Sequence, residues 1–314
     1  MLRYSLKRLL SLAISLIIAS LVIFLVIEVA PGDPASFMLG INAQEDTLNA
    51  LREELGLNQS KLERYLSWTF GMLQGDFGTS YTYRTPVADM VQDRLWVSLP
   101  LAIYALALST LIAFPAGIYA ASRRGGLGDV SIMGATQLGV AIPNFWFAMM
   151  LVLVFAINLR WFSAGGFPGW DNGLFTGLKA LTLPAIALAL PQAAILARVM
   201  RSSLLDILNE DFIRTARAKG LTPRQALWRH ALRNALIAPF TVIMLQIPWL
   251  LNGVVIVETL FNYKGFGWLL VQAASNNDIE LLLAVSVVSV VVVLVTQLIS
   301  DIGYVFLNPR IRLS

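Results

Sequence analysis

The sequence predicts an all-α integral membrane protein with six transmembrane helices and both termini in the cytosol. Three observations carry that prediction. The 314 residues are 57% hydrophobic and only 13% charged, a balance foreign to a soluble domain. Six stretches without charge, residues 9–27, 95–122, 130–159, 180–197, 234–257 and 281–300, reach or approach the roughly 20 apolar residues that a helix needs to cross a bilayer. None alternates polar with apolar as a lipid-facing barrel strand does, and a helix satisfies its own backbone where lipid cannot.

The first stretch follows Arg3, Lys7 and Arg8. It opens like a secretory signal, but its apolar run is too long for a cleaved one and Glu28 stands near its end, so it is expected to stay as the first span. Residues 31–94 form a long outer segment with nine Asp or Glu. Within it Leu48, Leu51 and Leu55 recur at helical spacing, as do Leu62, Tyr65, Leu66 and Phe70. Two short amphipathic helices are expected there, capping the bundle or touching substrate, followed by a turn-rich connection in "GDFGTSYTYRTP". Residues 95–307 then form a five-helix core, and 308–314 a tail. Pro115, Pro143, Pro184, Pro191 and Pro248 fall inside spans, where each removes a backbone hydrogen bond and favours a kink.

Charge placement sets the orientation. The N-terminal tail, the turn at 123–129, residues 198–233 and the C-terminal tail hold fifteen of the twenty-three Lys and Arg residues, which puts these segments in the cytosol. The densest basic stretch is "EDFIRTARAKGLTPRQALWRHALRNAL", residues 210–236, with six Lys or Arg and the single histidine, His230. A first short helix fits from Asp211 to Lys219 and stops at Gly220, which tolerates a left-handed backbone. Thr222 suits an N-cap, Pro223 the first helical position and Gln225 the third, a Thr-x-x-Gln capping box. Leu227, Trp228, Ala231 and Leu232 form the apolar stripe of the second helix, with Arg224, Arg229 and Arg233 pointing elsewhere. Two explanations of the charge stand side by side. One is topology together with anionic membrane lipid. The other is a knob docking on a cytosolic partner, with small Thr215, Ala216 and Ala218 allowing close approach and Asp211, Arg214, Arg217 and Lys219 around them.

Several function classes are excluded or disfavoured. Without cysteine there is no disulfide and no thiolate metal site, and with one histidine outside every span and no HExxH there is no hydrolase or metal centre to propose. No G-x-x-x-x-G-K-[ST] loop is present, so no nucleotide site of that kind and no cofactor is expected in this chain. Charge-free spans and no evident internal repeat argue against an ion-coupled secondary transporter, which remains the rival from a different class. Nucleic acid is not an expected partner. Of the amides within spans, Asn144, Gln192 and Gln246 are candidates to line a passage, the first two because each follows a proline that could open the helix; the alternative is an interhelical hydrogen bond. Glu258, at the outer end of the fifth span, is expected to be hydrated.

The segment "RTARAKGL", followed by "WRHALRNAL", resembles the first permease subunit of the dipeptide, oligopeptide and nickel branch of binding-protein-dependent ABC importers. The likeness extends to "APGDPA", "LREELGLNQ", "GDFGTS", "VETLFNYKGFGWLL" and "NPRIR". The chain departs from it at Lys264, where that branch usually has proline, and at Asn308, where it usually has aspartate. The resemblance implies a type I importer permease fold in a bacterial inner membrane. It further implies a second, similar permease, two cytosolic ATPases holding ATP and Mg, and a periplasmic substrate-binding protein. Residues 202–233 would be the coupling region, the helix at 211–219 seating in the ATPase, and Glu258 would be a periplasmic gate or a contact for the binding protein. Dipeptides or oligopeptides are the expected cargo, with nickel or a metal chelate, glutathione, murein peptides and peptide-like antibiotics as alternatives.

Overall fold

The computed structural model describes residues 2–29, 34–40, 43–252 and 254–307. Helices dominate it, and among the described residues the only bridge of β type joins Thr79 to Pro86. In chain order they are α1 (Leu2–Val29), α2 (Pro34–Leu39), α3 (Glu45–Glu54), α4 (Lys61–Leu73), α5 (Val87–Ser122), α6 (Leu127–Ala141) and α7 (Asn144–Leu151), which runs on as π-helix over Val152–Asn158. After α8 (Leu174–Leu208) come α9 (Asp211–Ala218), α10 (Pro223–Ala226), a π-helical stretch Leu227–Ala231 and α11 (Leu232–Ala235). The remaining elements are α12 (Ile237–Asn252), α13 (Val255–Leu260), α14 (Phe266–Ser275) and α15 (Ile279–Leu307).

Four of these, α1, α5, α8 and α15, are long and apolar enough to cross a membrane unbroken, and two bent pairs bring the passages to as many as six. Of the prolines expected to kink their spans, Pro143 sits at an outright break. Residues 130–159 are not one helix: α6 and the α7 segment meet at 99°, because Ile142, preceding Pro143, is forced to an extended backbone with ψ 123°. The fifth span is likewise joined to α10 and α11 at 45°. Pro115, Pro184, Pro191 and Pro248 do not break their helices, nor does Pro100. The ten-residue apolar α14 is an element the sequence reading did not assign, and it is too short to span.

The chain forms two compact units, residues Met1–Ser98 with Lys264–Val295 and residues Leu99–Tyr263 with Thr296–Ser314. This differs from a division at 30, 94 and 307, since 264–295 pack with the N-terminal part. In the first unit α1 buries little of itself, and Leu10, Ile14, Ile17 and Val22 lie exposed as a lipid-facing surface requires. Its other face meets α4 and α15 through Phe24, Trp68, Leu283 and Val287. Tyr65 stands edge-on to Phe24 at 5.3 Å and shares a 3.0 Å hydrogen bond with Ser20. Arg64 donates to Glu28 at 2.9 Å. The helix α4 begins at a Ser60–Glu63 capping box, and those hydrogen bonds from Ser60 hold the Glu63 carboxyl below its ordinary range.

One buried carboxylate organises the outer loop of this unit. Asp278 is fully buried; its Oδ1 accepts from the amide of Leu281 at 3.3 Å, so it caps the start of α15. Its oxygens also accept from the Ser80 hydroxyl at 2.5 Å and from the amides of Tyr81 and Thr82 at 3.2 and 3.0 Å. The turn-rich loop is therefore held by a residue almost 200 positions away. Tyr81 donates its hydroxyl to Glu280 at 3.2 Å, and burial followed by that carboxylate pushes its phenol above the usual range.

In the second unit α8 is the central element, two thirds of its apolar window being buried, against 11% for α1. Helices α6, α7, α12 and α13 pack on it. Its many alanines, Ala185, Ala187, Ala193 and Ala197 among them, let neighbouring backbones close in. At Gly117 of α5 a Cβ would lie 2.7 Å from the Ala197 carbonyl, so only glycine fits. At the outer end the Tyr263 hydroxyl donates to the Ala180 carbonyl at 2.7 Å, and burial raises its phenol pKa.

Asp278→Ala should strip one N-cap and orphan buried donors, a loss of about 2–4 kcal/mol. Thermal unfolding of the purified protein should show the largest drop for Asp278→Ala and a smaller one for Asp278→Asn, which still caps; equal melting of all three proteins would contradict the role given to this residue.

Candidate coupling site

The basic stretch folds as the local signals predict. Glu210 enters α9 in extended conformation, and the helix ends at Lys219 with Gly220 at φ +94°. The amide of Gly220 donates to the Arg217 carbonyl at 3.0 Å and that of Leu221 to the Ala216 carbonyl at 3.3 Å, the two bonds of a Schellman stop. Beyond it Thr222 accepts from the Gln225 amide at 3.3 Å while the Gln225 side chain accepts from the Thr222 amide at 3.0 Å. Pro223 occupies the first turn. The second helix is not a uniform α-helix, because Leu227–Ala231 is π-helical. That wider turn rotates the expected apolar stripe: Leu227 and Ala231 are buried, but Trp228 is 54% exposed.

The helix α9 has two distinct faces. Ile213 and Ala216 are buried, and Ile213 lies in one cluster with Met200 and Leu204 of α8 and with Ala226, Ala231 and Ala235. Phe212, Arg214, Thr215, Arg217, Ala218, Lys219 and Gly220 are exposed, as is Asp211. Ala216 is buried rather than open to a partner's approach, because the helical phase that places Ile213 inward carries the residue three positions on with it. On the outer face Arg214 pairs with Asp211 at 3.2 Å and the Thr215 hydroxyl donates to the Asp211 carbonyl at 2.9 Å. Neither bond engages another element, so these side chains are available.

The base on which α9 sits is tied down by groups that sequence reasoning passed over. Arg201 of α8 grips Asp129 of α6 bidentately, Nε to Oδ1 at 2.5 Å and Nη2 to Oδ2 at 2.6 Å, and Asp129 also accepts from the Gly125 amide. Asp129 is 3% exposed; a charge so placed needs a fork of this kind. The Ser203 hydroxyl donates to the Ala235 carbonyl at 2.7 Å, fixing the end of α11 to α8. Only the acid in the short turn 123–129, flanked by arginines, could have hinted at the clamp.

The structure does not gather the candidate passage residues into one cavity. Gln192 and Gln246 are buried, and the Gln246 amide donates to the Gln192 carbonyl at 3.2 Å, the interhelical bond that was the alternative. Pro191 leaves α8 unbroken, so the helix is not opened at Gln192. Gln246 Oε1 is buried and finds no partner among the described residues. Asn144 is half-buried at the first position of α7, beside the bend. Glu258 is wholly buried in α13 rather than hydrated, since α13 packs on α7 and α8; a direct surface contact at this side chain is thereby corrected. Asp301 accepts from Gln297 at 3.5 Å.

Comparison with known proteins agrees with this architecture. Residues 113–313 match the family described as binding-protein-dependent transport system inner membrane component, and residues 1–102 match the N-terminal family of the same systems. The oligopeptide transport system permease protein AppB of Bacillus subtilis (strain 168) is 39% identical over 292 residues, covering 92% of each chain. The glutathione transport system permease protein GsiC of Escherichia coli (strain K12) is 35% identical over 312 residues, covering 99% of each. The probable peptide ABC transporter permease protein y4tP of Sinorhizobium fredii is 35% identical over 98% of this chain and 99% of its own. Among solved structures, the inward-facing MetNI methionine ABC transporter shares the fold at TM-score 0.55 and 16% identity, over 70% of this chain and 96% of that one.

The chain belongs to the binding-protein-dependent transport system inner membrane components, the permeases of ABC importers. It is a multi-pass membrane protein and a component of transport rather than an enzyme.

The two faces of α9 separate by substitution. Ala216→Glu places a charge at a buried position of α9 and should prevent stable folding of the second unit, at a cost of several kcal/mol. Thr215→Glu, on the exposed face, should melt within a few degrees of the parent. Detergent-solubilised yield and unfolding temperature decide it; equal tolerance of both changes would mean that α9 does not sit as described.

Proposed function

We propose that this permease forms the path of a peptide importer in a bacterial inner membrane together with a second, similar permease, and that α9 couples it to a cytosolic ATPase. The observation that carries the coupling role is the α9 geometry itself. A short helix stopped at both ends exposes Phe212, Arg214 and Thr215, and its inner face rests on the last turns of a spanning helix. A push on such a helix passes to α8 by direct contact. Phe212 supplies the apolar anchor and Arg214, Arg217 and Lys219 the charge that would orient an acidic groove. ATP and Mg belong to the ATPase in this reading, two copies of which serve the pair of permeases.

Peptides are favoured as cargo because the relatives named for oligopeptides, peptides and glutathione span nearly the full chain. Selection among peptides would rest with a periplasmic binding protein. Positive charge concentrated on one side supports the assignment of the α9 end to the cytosol. For the passage, Asn144 beside the 99° bend is the stronger of the sequence candidates; Gln192 and Gln246 would reach it only if their mutual bond opened.

The test uses the whole assembly purified through a tag on this chain. Phe212→Ala with Arg214→Glu should lower recovered ATPase and ATP-driven peptide uptake by roughly tenfold or more, while the second permease stays bound. Ligand released from the co-purified binding protein, identified by mass spectrometry, should be short peptides. Undiminished ATPase recovery would defeat the coupling role, and a metal chelate in place of peptide would defeat the cargo.

A further inference from the structure

We propose that the second unit holds an anionic phospholipid in a cleft between α9–α10 and the ends of α5 and α8. The cleft has a volume of about 970 Å³. Its floor is apolar, formed by Phe114 and Ile118 of α5, Leu205 of α8, Ile213 of α9 and Leu227. Its rim is basic. Arg123, Arg124, Arg217 and Arg224 all line it, and no acidic residue does.

Three features select the occupant. First, α5 and α8 are both long enough to span a membrane, and the cleft lies at their C-terminal ends, the ends that the placement of Lys and Arg assigns to the cytosolic leaflet side. Second, the four arginines are exposed, and among the described residues none of them forms an ion pair. Four guanidinium groups outside any ion pair, above an apolar slot, match a molecule with a phosphate at one end and hydrocarbon at the other. Third, Tyr119 and the 54%-exposed Trp228 line the same cleft, and these are residue types that settle at the headgroup level. The C-terminal tail of this chain is a poor occupant, since residues 308–314 carry two arginines and no acid. An acidic segment of a partner protein would satisfy the rim but leave the apolar depth without a matching group.

The lipid site does not depend on the coupling role, because it is read without nucleotide or cargo. The purified assembly is placed in bilayers containing increasing fractions of brominated phosphatidylglycerol or brominated phosphatidylcholine. Tryptophan quenching is followed in the parent and in Trp228→Phe, their difference giving the share of Trp228. Phosphatidylglycerol should quench that share at a mole fraction roughly tenfold lower than phosphatidylcholine. Arg123→Gln with Arg224→Gln should erase the preference. Leu205→Trp, which fills the slot without touching the charge, should remove tightly held phosphatidylglycerol from the delipidated assembly as read by native mass spectrometry. Equal quenching by both lipids, or an unchanged preference in the double variant, overturns the proposal. A photo-crosslinker at position 205 that captures the ATPase instead of lipid overturns it too, by making the cleft a protein interface.

Discussion

The continuity of α8 is the constraint on which the second unit depends. Thirty-five residues make a rod of about 52 Å at 1.5 Å per residue, well beyond the roughly 30 Å of hydrocarbon it has to cross. Two prolines lie within it and neither breaks it. Burial along the proline-bearing part keeps the rod straight enough to be packed from several sides, and small side chains let α6, α7 and α12 close on it. The overhanging end then has to be anchored. Arg201 and Asp129 do so on one side, and Ser203 with the Ala235 carbonyl on the other.

With its end anchored, α8 offers Met200 and Leu204 as a seat for α9. Full burial of a side chain such as Ile213 contributes about 1.5–3 kcal/mol, a useful holding force for a helix of only eight residues. Isolated helices of that length are unstable in water. The seat, the Schellman stop and the capping box that follows turn a segment too short to fold alone into a rigid feature. Rigidity at this point is what a force-transmitting contact requires, since a frayed segment would yield before the spanning helix moved.

Features governed by neighbours in the chain were legible in the sequence. The stop at Gly220, the cap at Thr222 and the box with Gln225 each need only residues a few positions apart, and the apolar spans needed only composition. Features governed by distant partners were not. The facing of Ala216 follows from the seating of Ile213 on Met200 and Leu204, so small size suggested a docking surface where the fold buries the residue. The same holds for Asp129 and Asp278, ordinary turn acids by sequence, whose roles are set by Arg201 and by the loop at 80–82. The 99° bend at Pro143 was foreshadowed by the proline, but five other prolines in helices leave no comparable break, so the residue type alone could not single it out.

The Asp278 knot bears on how the protein is made. The donors at Ser80, Tyr81 and Thr82 leave the ribosome early, and their acceptor follows 198 residues after Ser80, a wait of about 10–40 s at ordinary synthesis rates of roughly 5–20 residues per second. Throughout that time the loop has only its own local bonds, such as those from the Ser80 amide to the Thr85 carbonyl and from the Val87 amide to the Gly78 carbonyl, and closing so long an interval carries its own entropic cost. It gains its buried anchor only once Asp278 has been made. A chain truncated before α15 thus displays an open, cleavable loop on its outer side, so that completeness of insertion is written into a surface that a quality-control protease can inspect.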